Sequence, residues 1–104
     1  GESTATLTDF VAAARRYART RGRVAFVFTA RRSAELIAAM RSHHLEPKRI
    51  RFVHSRLTAP ASVMLIEARA SGGIEVAIEP PLILYDRPGI YTSEANSLLT
   101  SHPD

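Results

Sequence analysis

A chain of 104 residues is sized for one domain around a single core, and residues 1–104 are read as one domain with no room for a second. Apolar residues make up 45% and charged residues 23%, and no apolar run nears the roughly 18–20 residues of a membrane-spanning helix. The net charge of +4 is unevenly spread: residues 1–56 hold 12 Lys and Arg against 4 Asp and Glu, whereas residues 57–104 hold 2 against 6.

Thr6-Leu7-Thr8-Asp9 reads as a capping box, and Leu7, Phe10, Val11, Ala14, Tyr17 and Ala18 follow at helical spacing. Gly22 offers a left-handed stop, so the spacing predicts a helix over 7–21. Arg15, Arg16 and Arg19 are candidate contacts to a polyanion. Their plainer role is to complement the negative end of the helix dipole.

Val24-Ala25-Phe26-Val27-Phe28 is a short continuous apolar run, which predicts a strand buried on both faces. A second helix is expected over 32–44, with Ala34, Ile37, Ala38 and Met40 toward the core, ending before Pro47. His43 and His44 are adjacent, so on a helix they diverge by about 100° and serve as a helix end better than as a metal pair.

Strands are expected at 49–55 and 62–70. In the first, Ile50, Phe52 and His54 share one face, and Arg49, Arg51, Val53 and Ser55 share the other. Lys48, Arg49, Arg51, His54 and Arg56 therefore form the leading candidate surface for RNA phosphate. His54 has no legible nucleophile or acid partner, which leaves RNA contact or a structural place at a strand end. Ser71-Gly72-Gly73 reads as a hairpin turn into a further short strand carrying Ile74, Val76 and Ile78, and Pro80-Pro81 ends it. Leu82 to Tyr85 reads as a last extended piece. Tyr85 and Tyr91 read as packing residues.

The fold class that follows is α/β, in the order α-β-α-β-β plus a short C-terminal hairpin strand. The later strands alternate and suit antiparallel edge positions. A strand buried on both faces needs more neighbours than these elements supply, so the sheet is expected to be three-layered only when a partner completes it.

Gly22-Arg23 before the apolar strand, Leu45 to Arg49, Arg51 to His54, Leu65 to Ala68, Pro80-Pro81-Leu82, Tyr85-Asp86 and Tyr91-Thr92 occur in an order that carries a resemblance. Over residues 5–94 the chain resembles the C-terminal half of the bacterial tRNA1(Val) adenine-37 N6-methyltransferase family, a Rossmann-like class I fold. The resemblance implies S-adenosylmethionine as donor and the N6 amino group of an RNA adenine as acceptor. It also implies a part in tRNA modification, and the lack of cysteine, of a leader-like start and of a spanning run gives the expectation of a cytoplasmic protein.

In that family the cofactor is held by a glycine-rich turn and an acidic strand end, and an Asn-Pro-Pro-aromatic motif reads the flipped base. None of these motifs is legible here, so no catalytic, cofactor-binding or metal residue is named, and no cofactor is expected for this chain alone. Glu79-Pro80-Pro81-Leu82 has the prolines but neither the amide nor the aromatic ring. The expected partners are tRNA, and either a missing N-terminal half or a second copy paired through the Val24–Phe28 edge. A homo-oligomer and no membrane association are expected. The alternative is a freestanding basic RNA-binding or oligomerisation module.

Overall fold

The computed structural model describes residues 5–101. Helix α1 spans Leu7–Arg21 and has the capping box in full. The Thr6 hydroxyl accepts from the Asp9 N–H, and the Asp9 carboxylate accepts from the Thr6 N–H, each at 3.1 Å. At its other end Gly22 takes φ 90°, and its N–H donates to the Ala18 carbonyl at 2.7 Å. Only Val11, Ala14 and Ala18 of the expected stripe are buried. Phe10 sits at the rim, edge-on to Phe26 with centroids 5.1 Å apart, and Tyr17 is 55% exposed.

Strand β1 (Val24–Thr29) leads through a 3-10 turn at Ala30–Arg32 into helix α2 (Ser33–Ser42). The helix is shorter than its sequence suggests because His43 takes a non-helical backbone and His44 a left-handed one, with φ 60°. Its core face is also rotated from the expected one. Leu36 and Met40, four residues apart, are fully buried, whereas Ala34 and Ala38 face solvent. The two large side chains set the phase, and the alanines follow.

Strands β2 (Glu46–His54) and β3 (Ala61–Arg69) form an antiparallel pair. Pro47 is accommodated near the start of β2, beside a register shift between Pro47 and Arg49. Strand β1 also pairs antiparallel with β3, from Val24 opposite Ala68 to Thr29 opposite Val63. Thus β1 and β2 run parallel, and β3 is slotted between them in the opposite sense. The alternating β3 is a central strand, not an edge strand. Its alternation records a sheet covered on one face only.

Both long helices pack on that face. Val11, Ala14 and Ala18 of α1 and Leu36 and Met40 of α2 close over Ile50, Met64, Ile66 and Ala68, with Phe26, Phe28 and Phe52 at the margin. The described residues thus form two layers.

Two expectations fail here. Burial along β1 alternates, and Val27 is 59% exposed, so this strand is not buried on both faces. Its continuous apolar run meets a helix layer on one side and none on the other. The segment after Gly72-Gly73 also does not fold back as a hairpin on β3. It crosses over, and β4 (Ala77–Ile78) and β5 (Leu82–Ile83) add in parallel to the outer side of β2. Because β4 runs antiparallel to β3, the exposed 71–76 segment has only to pass the end of β2 to reach its far side.

The hairpin that does form is β6 (Tyr85–Arg87) with β7 (Ile90–Tyr91), turning at Gly89 with φ 77°. Helix α3 (Ser93–Thr100) follows, its N-terminus capped by the Thr92 hydroxyl accepting from the Ala95 N–H at 3.1 Å. Val53, Leu82 and Ala95 are buried beside this C-terminal portion.

Candidate functional site

The uncovered face of the sheet is its most unusual surface. Ala25 and Val27 of β1, Leu65 and Glu67 of β3, and Arg49 and Arg51 of β2 line a shallow groove of about 380 Å³. Leu65 is 37% exposed in its middle. Beside it, β1 pairs with β3 alone among the described strands, so its outer edge offers unpaired N–H and C=O groups. An open apolar face adjoining an open strand edge is where another layer and another strand would join.

The basic residues of β2 do not project freely from this groove. The Arg49 Nε donates to the Glu79 carboxylate at 3.0 Å. The Arg51 Nε donates to the Pro80 carbonyl at 3.0 Å, and its terminal nitrogen pairs with Glu94 at the start of α3. Lys48 Nζ donates to the Gly73 carbonyl at 2.7 Å. A third pair, Arg23 with Glu67 at 3.6 Å, spans β1 and β3. Three of the six carboxylates in residues 57–104 thus meet arginines of the basic half. Much of the charge asymmetry of the sequence is complementarity within the chain.

His54 is also engaged: its Nδ1–H donates to the Ala59 carbonyl at 2.7 Å, tying the end of β2 to the loop before β3. Arg56, in that loop, is exposed and makes no ion pair among the described residues. His43 Nδ1–H donates to the Ala39 carbonyl at 2.9 Å, and its backbone N–H caps the last turn of α2. Tyr85 and Tyr91 stack across their hairpin with centroids 5.0 Å apart, and the neighbouring Tyr91 holds the Tyr85 phenol above its ordinary range.

The α1 arginines differ from those of β2. Arg15, Arg16 and Arg19 form no ion pair among the described residues, and they lie on another part of the molecule from Arg49 and Arg51. Arg15 and Arg19, with Ala18, Gly22, Ala70 and Ser71, line a cleft of about 290 Å³. The Arg15 Nε itself is buried without a hydrogen-bond partner, a state that costs about 1–3 kcal/mol while it stays unmet. The eight candidate RNA contacts are therefore divided between two surfaces and a loop. The partners Glu79 and Glu94 and the cleft residue Ser71 were not picked out from sequence, where the acidic excess after residue 57 was the one available signal.

No group of three or more His, Cys, Asp or Glu side chains is placed to hold a metal among the described residues. Among the described residues Gly22, Gly72, Gly73 and Gly89 form no Gly-x-Gly turn between a strand and a helix of the kind that cradles a nucleotide. No helix is long and apolar enough to cross a membrane among the described residues.

No protein-family model matches the chain, and no curated protein sequence does. Among solved structures it is similar to the crystal structure of a predicted O-methyltransferase from Agrobacterium tumefaciens, with a TM-score of 0.64 and 22% sequence identity. The match covers 88% of this chain and 44% of that one, so the chain spans less than half the length of its structural neighbour. The strand arrangement, with β3 inverted between parallel β1 and β2, thus belongs to a methyltransferase-like fold.

Proposed function

We propose that the chain is the C-terminal part of an S-adenosylmethionine-dependent methyltransferase domain whose acceptor is the N6 of an RNA adenine. The carrying observation is the bare groove beside the free β1 edge, on a sheet of methyltransferase-like fold. A first half carrying the glycine-rich turn and the Asn-Pro-Pro-aromatic motif would add its strand to β1 and its helices to the Val27–Leu65 face. The RNA acceptor rests on the sequence resemblance. On this reading residues 1–104 bind no methyl donor alone.

Isothermal titration of S-adenosylmethionine into the chain should give no saturable heat, and saturable one-to-one binding would overturn the proposal. Coding sequence just upstream should specify Asn-Pro-Pro-aromatic. The two halves, co-purified, should methylate adenine in tRNA.

A second reading takes the same edge. Where no first half is supplied, a second copy pairs through β1 and shields Val27. A third, a basic RNA-binding module, draws on the unpaired arginines of α1 instead.

A further inference from the structure

We propose that the cleft between the last turns of α1 and the end of β3 is a binding site for a phosphate group. Arg15 and Arg19 are four residues apart and so project from one side of the helix. Ala18, Gly22, Ala70 and Ser71 form the remaining walls of the cleft, and no carboxylate lines it. That contrasts with Arg49 and Arg51, each of which is met by a glutamate of the same chain. The small walls leave room for an anion well beyond the ~30 Å³ share of one water, in a cleft of about 290 Å³.

The Arg15 Nε is buried without a hydrogen-bond partner. A phosphate in the cleft is met by the terminal N–H groups of the two arginines, since the planar fork of a guanidinium matches two oxygens of one phosphate. The exposed Ser71 hydroxyl makes no side-chain hydrogen bond among the described residues and is free to donate to a third. The helix C-terminus contributes about half a negative charge, which opposes an anion, but two guanidinium charges outweigh it. This site does not depend on the methyltransferase reading. The phosphate group could belong to free phosphate or to a polynucleotide backbone, and both present the same oxygens.

The test is a ¹⁵N–¹H NMR titration of the full chain with inorganic phosphate and, separately, with a short oligouridylate, each against chloride at matched ionic strength. The Arg15 Nε–H and Ser71 amide signals should shift saturably. Arg15→Gln and Arg19→Gln should each weaken binding about tenfold, while Arg31→Gln leaves it unchanged. Tighter binding of oligouridylate through the same signals assigns the site to a polynucleotide backbone. Equal or preferred binding of inorganic phosphate assigns it to a small phosphate. No saturable shift at Arg15 with either probe, the same shift with chloride, or unchanged affinity in both Gln variants that still give a folded spectrum would overturn the proposal.

Discussion

Arg49 and Arg51 occupy positions of β2 at which a solvated strand presents charge to a partner, yet Glu79 and Glu94 already meet them. Exposed pairs of this kind contribute only about 0–1 kcal/mol each to stability, but they also remove guanidinium charge from any external anion. The consequence is a ranking of arginines that sequence alone inverts. If RNA binds, Arg15→Gln and Arg19→Gln should each flatten the slope of log affinity against log salt by about one, and Arg49→Gln should flatten it by less. A filter-binding salt series on the three variants measures this, and the largest change at Arg49 would contradict it.

Among the secondary-structure elements, α1 was legible almost to the residue because its signals are local. Thr6, Asp9 and Gly22 specify the ends through hydrogen bonds within three or four residues. Thr6→Ala should therefore cost about 1 kcal/mol in urea unfolding, and an unchanged midpoint would show that the cap contributes nothing. The strands β1, β2 and β3 were legible in position but not in exposure. The run Val24–Phe28 has the apolar content of a doubly covered strand, and what covers its second face is not encoded in the run itself.

The sites β4 and β5 take beside β2 were not legible, since two-residue strands are fixed by the partner edge and not by their own side chains. Helix α3 announces itself only through Thr92 and Glu94, a weak local signal in a polar tail. The candidate site was legible as residue types. Which arginines are neutralised depends on contacts between residues far apart in sequence, such as Arg51 with Glu94.

For the whole molecule, one sheet face and one strand edge remain without cover among the described residues, against a net stability that for such domains is only about 5–15 kcal/mol. Burying a side chain such as Val27 or Leu65 would contribute about 1.5–3 kcal/mol each. Self-association through β1 is the expected outcome when the chain is purified alone. Light scattering should give a mass that rises with concentration, and Val27→Lys should return it to that of one chain. A monomeric mass across the range would exclude pairing through this edge.

The inversion of β3 between β1 and β2 also has a consequence in time. During synthesis α1, β1 and α2 leave the ribosome ahead of β2 and β3, so β1 has no partner among the described strands until β3, paired with it from Val24–Ala68 to Thr29–Val63, has been made. The β2–β3 pair is local in sequence and can form as soon as Arg69 is clear, whereas β1 must wait and then close a long loop onto the far side of that hairpin. Until then Phe26, Val27 and Phe28 lack their β3 neighbours. The same topology that gives the finished sheet its order makes β1 the last of these three strands to be placed, although it precedes the other two in the chain, and so a segment in need of chaperone cover.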